Sequence, residues 1–334
     1  MSMYYKYNKI MSYNLPIMAI IGAQGIGKTY GAKRYLIKKF LNEGKKFIWT
    51  RDTESACDKL CANDGEKFFE DIIFNKEFLT LEGKIKKEAI YINDKHAGYV
   101  LPQATYYNYK GNAYQEITNI CNDEFIPEIY QRYNGDRALQ FIKTLQFIGR
   151  TRNNYKVILL ANAIDKSNDI LALFDIKITG HGFYFNKDKG FVLHYAENNP
   201  LFIDATKNSI NGKIIAGSVY EDSINKNVFN SDDKQFFDKK PRGCKFLCAL
   251  HSANASIRLY YNEDLIYVSR DFNLDANISL RFVNNFELVN TKRNYIPKGL
   301  YDNLKLWYTN DKIRFENASC RRLYIDFISK SKTV

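Results

Sequence analysis

Pro16-Ile17-Met18-Ala19-Ile20-Ile21 runs straight into Gly22-Ala23-Gln24-Gly25-Ile26-Gly27-Lys28-Thr29, and the reading of this junction decides the fold. The leading apolar run is short and unbroken, as expected of a strand buried on both faces. Behind the glycines, Ala32, Tyr35, Leu36, Lys39 and Phe40 recur at spacings of three and four. That period predicts a helix from Thr29 to Asn42, and Gly44 stands where a helix-ending glycine belongs. Between strand and helix the segment matches G-x-x-x-x-G-K-T. Glycines there let backbone N–H groups turn towards phosphate oxygens. Lys28 adds charge beside the β- and γ-phosphates, and Thr29 offers a hydroxyl to magnesium.

Outward from this loop, strand-like and helix-like segments alternate to about residue 197, which argues for an α/β layer fold around a parallel-rich sheet. Lys46–Thr50 and Lys156–Ala161 read as further strands, and Ile176–Thr179 as a shorter one. Ala89–Leu101 reads as a hairpin turning at Asn93-Asp94-Lys95. Ile117–Asn122 is a weaker strand, because Asn119, Cys121 and Asn122 interrupt its apolar run. Composition changes at Asn198-Asn199-Pro200. Residues 198–240 are rich in Asn, Asp, Ser and Lys and read as a linker or small helical subdomain. From Lys245 the pattern is strand-like again, with a helix over Leu300–Tyr308, so residues 241–334 are expected to form a smaller α+β domain.

The chain has 334 residues, enough for two cores, and a formal net charge of +12 that suggests a polyanionic partner, nucleic acid first. Residues 226–334 hold 19 Lys+Arg against 12 Asp+Glu, so more than half of the excess lies in the last third. Leu15–Ala23 is too short to span a bilayer, and Met1-Ser2-Met3-Tyr4-Tyr5-Lys6 is no secretory signal, so no membrane role and a cytoplasmic location are expected. The six cysteines read as reduced core thiols. Cys244, Cys248 and His251 fall short of a four-ligand zinc set.

A second acidic element, Asp123-Glu124, closes the Ile117–Asn122 segment. An aspartate there completes the magnesium shell, and a following glutamate deprotonates the attacking water. Arg150-Thr151-Arg152 precedes the Lys156–Ala161 strand, and either arginine is a candidate to stabilise phosphoryl charge in a neighbour's site. Asn162 follows that strand, where it can sense the γ-phosphate or position water. Basic loops at Lys86-Lys87, Lys110, Lys239-Lys240-Pro241-Arg242 and Arg321-Arg322 are nucleic-acid candidates.

Taken in order, these blocks resemble a known family, the DNA-packaging motor ATPases of small, short-tailed, protein-primed bacteriophages, relatives of terminase large subunits. The resemblance rests on Ile21 to Tyr30, Gly98-Tyr99-Val100-Leu101-Pro102, Lys110-Gly111-Asn112-Ala113-Tyr114, Asp123-Glu124-Phe125-Ile126, Arg150-Thr151-Arg152 and Ala161-Asn162-Ala163. It implies an additional-strand (ASCE-type) P-loop ATPase that uses ATP and Mg2+. The nucleotide would be held by Gly22 to Tyr30 and Asp123, with magnesium on Thr29 and Asp123. Glu124 would activate water, with Arg150 as the finger acting in trans and Arg152 second. It further implies a ring of copies, a pentamer, at the portal of an empty capsid in the host cytoplasm. Double-stranded DNA would pass through, and a structural RNA is a further partner. Lys110 falls where the family has a lysine near the subunit interface or pore. The C-terminal domain would resemble a nuclease that has lost its activity.

Three other readings compete. A small-molecule kinase needs an arginine-rich lid, which this sequence lacks. A live nuclease would place metal on Asp264, Asp271 and Asp275. A nucleotide-dependent scaffold would bind nucleic acid without turnover.

Overall fold

The computed structural model describes residues 4–76, 78, 80–109, 114–126, 137–163, 169–174, 176, 178–218, 221, 240–252, 255–271, 280–283, 294–310 and 312–330. The chain divides into two compact units, residues 1–166 with 173–230, and residues 167–172 with 231–334.

Six parallel strands form the middle of the first unit's nine-stranded sheet. In spatial order they are β5 (Lys95–Pro102), β2 (Lys46–Arg51), β6 (Ile117–Asp123), β7 (Lys156–Ala161), β1 (Ile17–Ile21) and β9 (Phe191–Tyr195). Antiparallel strands extend both edges: β4 (Ala89–Ile92) and β3 (Gly83–Lys86) beyond β5, and β8 (Gly182–Asn186) beyond β9. β7 lies between β1 and β6, so one strand separates the phosphate-loop strand from the acidic strand. The helices of this part of the chain are α1 (Asn8–Ser12), α2 (Lys28–Glu43), α3 (Glu54–Phe74), α4 (Arg137–Gly149), α5 (Asp169–Leu173), α6 (Pro200–Asn208) and α7 (Ile210–Ile215).

The core forms where the predicted periods point. α2 turns Ala32, Leu36, Ile37 and Phe40 inward, onto Phe47 and Trp49 of β2 and Phe68, Phe69 and Ile72 of α3. Trp49 meets Phe68 edge-on at 5.3 Å. Gly98 on β5 lies against Phe47 of β2, and a Cβ on it would stand 1.7 Å from the Phe47 carbonyl oxygen. Only a residue without a side chain lets these two strands pair there.

Two expectations need correction. β6 is not a weak strand: it runs between β2 and β7, and every residue but Thr118 is buried. Its polar residues find partners instead of breaking it. The Asn122 amide donates to Gln103 Oε1 at the end of β5, and the Asn119 amide to Thr118 Oγ1 at 3.1 Å. Nor is Ile176–Thr179 a strand at its described residues. The strands of that region are β8 and β9, which carry aromatics and a histidine where an aliphatic run was sought.

In the second unit, β10 (Lys245–Ser252), β11 (Ala255–Asn262) and β12 (Leu265–Asp271) form an antiparallel meander. β13 (Arg281–Val283) and then β14 (Asn294–Tyr295) continue beside β10, and β15 (Ile313–Phe315) pairs with β12. α8 (Lys298–Thr309) and α9 (Ala318–Lys330) supply Leu304, Cys320, Tyr324 and Phe327 to a core with Leu250, Leu259, Val268 and Phe315. α9, β13, β14 and β15 were not anticipated. The nuclease reading loses its metal set here. Asp264 lies in the turn before β12 and Asp271 at that strand's far end, about 20 Å away at 3.3 Å per residue. Asp275 lies outside the described residues. Among the described residues no group of three or more His, Cys, Asp and Glu is placed to hold a metal. No described helix is long and apolar enough to cross a membrane.

Candidate nucleotide site

β1 ends and α2 begins at the C-terminal edge of the parallel strands, where loops of an open α/β sheet build ligand sites. Gly25 and Gly27 adopt φ of +85° and +84°, which turns the loop's amides inward, and only glycine does so without strain. The chain's first described residues tie this loop down. Tyr5 N–H donates to Ile26 O at 2.8 Å, and the Tyr7 hydroxyl donates to Lys28 O. Ala23 and Ile26 pack with Ala196, Tyr5 and Phe202, so they serve the loop through backbone alone.

Lys28 is buried, and its ammonium donates to Gly22 O at 2.9 Å, Ala23 O at 2.7 Å and Asn162 Oδ1 at 3.0 Å. Burial pushes its pKa down to about 8, against the opposing pull of Asp123 and Glu124. The Thr29 hydroxyl donates to Asp123 Oδ1 at 3.1 Å, which brings the first turn of α2 to the end of β6. Glu124 follows in a left-handed conformation, φ +69°, unusual for glutamate. That bend lets Phe125 N–H bond Leu160 O at 3.0 Å while the carboxylate faces the loop's cavity.

The cavity measures about 380 Å³. Gln24, Gly25, Gly27, Lys28, Thr29, Tyr30, Asp123, Glu124 and Asn162 line it, with Tyr4, Asp71 and Asn75. This donor set fits magnesium-bound nucleotide. A hydroxyl and a carboxylate oxygen 3.1 Å apart are hard ligands of the kind Mg2+ takes. Lys28, turned onto its own loop's carbonyls, has its charge at the place where phosphate oxygens would lie.

A family model described as Podovirus DNA encapsidation protein (Gp16) matches residues 1–333. The chain belongs to that family. The DNA packaging protein of Bacillus phage B103 is 26% identical to this Gp16-family chain over 332 residues, covering 97% of it and 99% of the relative. That of Bacillus phage phi29 is 24% identical over 345 residues, covering 99% and 98%. Among solved structures, a chain of the phi29 viral genome packaging motor assembly superposes with a TM-score of 0.73 at 23% identity, over 99% of this chain and 100% of that one. The N-terminal domain of the phi29 DNA packaging ATPase superposes with a TM-score of 0.53 at 27% identity, over 60% of this chain and 99% of that one.

Of the candidate residues, Gln24, Gly25, Gly27, Lys28, Thr29, Tyr30, Asp123, Glu124 and Asn162 line the cavity of this Gp16-family protein, whereas Gly22, Ala23 and Ile26 and both arginines of Arg150-Thr151-Arg152 do not. Both precede the N-terminal end of β7, a six-residue strand whose other end holds Asn162. That puts them about 20 Å from their own phosphate loop. The two differ sharply. Arg152 donates to the carbonyls of Gln115 at 2.6 Å, Ile117 and Ile148 at 2.8 Å, and Tyr114 at 3.0 Å. Four of its five N–H donors are spent on backbone, so a place for Arg152 as second finger does not fit this geometry. Arg150 is exposed, on a left-handed turn at φ +50°.

The basic candidates are scattered. Lys86 and Lys87 are exposed at the β3–β4 turn of the first unit. In the second unit Lys240 lies over the Tyr260 ring at 4.1 Å, Arg242 is exposed, and Arg321 and Arg322 are half-buried, with Arg321 bonded to the Tyr308 hydroxyl at 3.1 Å. Lys110 and Lys239 lie outside the described residues.

Arg51 escaped the sequence reading. Its guanidinium bonds Asp123 at 2.7 Å and Glu124 at 2.6 Å. Burial would weaken its hold on the proton, and the two carboxylates more than reverse that. A signal existed: β2 reads as a strand from its sequence, and an arginine at the C-terminal end of any strand beside the acidic one reaches the same edge. It needed the strand order, which no local pattern contains.

Proposed function

We propose that this chain hydrolyses ATP to drive double-stranded DNA into a preformed capsid, as one subunit of a homo-oligomeric ring docked at the portal in the host cytoplasm. One observation carries the enzymatic part: Lys28, Thr29, Asp123 and Glu124 converge on one cavity, with Thr29 and Asp123 already 3.1 Å apart. The packaging part is supported by family membership and by relatives named DNA packaging protein along their full length. On this reading residues 1–197 are the ATPase domain, 198–240 a linker with small helices, and 241–334 a nuclease-like remnant that grips nucleic acid or the portal.

Lys28, Thr29 and Asp123 would hold Mg-ATP. When bound, it supplies an electrophilic γ-phosphoryl group with magnesium drawing off charge. Lys28 exchanges the Gly22 and Ala23 carbonyls for phosphate oxygens. Glu124 takes a proton from water at its carboxylate, oriented by Arg51, and Asn162 steadies the Lys28 ammonium. Arg150 acts on a neighbouring copy, since its own phosphate loop is out of reach. A ring of five and a structural RNA partner belong to the same proposal.

Phosphate release decides the enzymatic claim. Wild-type protein with empty capsids and duplex DNA is expected to release phosphate. Lys28→Ala and Glu124→Gln should fall at least about a hundredfold. Equal rates for wild type and Glu124→Gln would remove the glutamate assignment. No wild-type turnover under these conditions would favour a scaffold that binds without hydrolysing.

A further inference from the structure

Residues 4–7 belong to none of the motifs that name the nucleotide site, yet three of them lie against its loop. Tyr5 N–H holds Ile26 O, and the Tyr7 hydroxyl holds Lys28 O. Tyr4 lines the cavity beside Gly27, where a Cβ would stand 3.3 Å from the Tyr4 side chain. The two bonded carbonyls matter for what lies across their peptide planes. In a trans peptide the carbonyl and the next residue's N–H point in opposite directions. Holding Ile26 O therefore fixes the Gly27 N–H, and holding Lys28 O fixes the Thr29 N–H. Gly27 and Thr29 both line the cavity. The tyrosines grip the loop from outside, by the oxygens whose opposite amides would meet phosphate.

The clasp is itself anchored. Tyr5 and Tyr7 pack against the first unit's core, which Ile10 of α1 enters fully buried. Their rings meet edge-on at 5.1 Å. The Tyr5 hydroxyl lies 2.9 Å from Nδ1 of His194 on β9, the strand paired with β1. His194 stacks on Phe183 at 3.9 Å, and burial pushes its pKa down to about 4, so a neutral ring faces the hydroxyl and can accept from it. α2 in turn makes room for Tyr7. A Cβ on Gly31 would stand 2.3 Å from the Tyr7 ring. Glycine inside a helix is destabilising relative to alanine, and here the tyrosine ring occupies the space that alanine would need.

We propose that Tyr5 and Tyr7 are positioning residues for nucleotide binding. Through the Ile26 and Lys28 carbonyls they hold the Gly27 and Thr29 amides towards the phosphates, with His194 as the anchor of Tyr5. This rests on the reading of the cavity as a site for magnesium-bound nucleotide.

Mg-ADP affinity and the backbone amide resonances of the full chain, labelled with nitrogen-15 at glycine and threonine, test it. Tyr7→Phe keeps the ring and removes only the hydroxyl. It should weaken Mg-ADP binding about three- to tenfold, the range for one lost hydrogen bond. In the bound state it should shift the Thr29 amide and leave that of Gly27 unchanged. Tyr5→Phe cuts the tie to His194 and should do the reverse, shifting Gly27 and leaving Thr29. A general loss of folding would move both amides in both variants. Gly31→Ala displaces the Tyr7 ring from the opposite side and should reproduce the Thr29 shift. Wild-type affinity in Tyr7→Phe, or shifts that do not separate by residue, overturns the clasp and leaves the nucleotide site standing. Failure of the wild-type protein to bind Mg-ADP condemns the nucleotide reading, and the clasp falls with it.

Discussion

Arg51 and Glu124 form an ion pair of 2.6 Å, and the same guanidinium spans to Asp123 at 2.7 Å. The residue proposed to hold magnesium and the residue proposed to deprotonate water are therefore oriented by one arginine from the neighbouring strand. The cation also offsets two adjacent carboxylates, of which Asp123 is buried.

Removing that cation leaves Asp123 buried without its partner. Arg51→Ala should destabilise the nucleotide-free protein by about 3 kcal/mol. Magnesium and ADP should recover part of the loss, because the metal supplies the missing positive charge. Urea unfolding with and without Mg-ADP measures both, and an unchanged midpoint would show that the pair contributes nothing.

Nucleotide affinity should depend on pH through Lys28. Its pKa lies at about 8, below the ordinary 10.5, so the free protein loses this charge as pH rises through 8. Phosphate binding needs the charged form. Affinity should hold below that pH and fall above it, by up to about tenfold per pH unit. Binding at pH 8.5 should then take up a proton. Calorimetry in two buffers of different ionisation enthalpy reads the sign, and proton release would contradict the burial argument.

The two arginines of the α4–β7 turn should separate by stability. Arg152→Ala breaks four charge-assisted bonds to backbone and should cost about 2–4 kcal/mol. Arg150→Ala should stay within about 1 kcal/mol, its effect falling on turnover. Denaturant melts of the two variants compare them directly, and equal losses would refute the distinction.

Gly98→Ala should be among the most damaging single-methyl additions. The new Cβ meets the Phe47 carbonyl oxygen at 1.7 Å, and backbone in a central parallel pair has no room to yield. A loss of at least about 4 kcal/mol, or insoluble protein, is expected. Soluble protein with a wild-type melting temperature would show that β2 and β5 pair differently.

Much of the fold was legible in short stretches. The β1–loop–α2 junction announced itself because three local signals agree: a continuous apolar run, the G-x-x-x-x-G-K-T spacing and a 3.6-residue period. The hairpin at Asn93-Asp94 and the β7 strand were equally plain. β6 misled because its asparagines count against a strand in isolation. That cost is reduced once Gln103, just past the end of β5, accepts the Asn122 amide, a partner distant in sequence. β8 and β9 were missed because aromatics and a histidine mask their period.

The sequence by itself determined the phosphate loop, since Gly22–Thr29 specifies its own backbone conformation over eight residues, and with Asp123 and Glu124 it named the chemistry. Only the tertiary structure decided which oxygens each arginine meets. Arg51, Arg150 and Arg152 look interchangeable along the chain. A guanidinium's role follows from the oxygens it meets, and those come from strands and carbonyls distant in sequence. Arg51 meets the carboxylates that line the cavity, Arg152 meets backbone and holds a turn, and Arg150 lies on an exposed turn about 20 Å from its own phosphate loop.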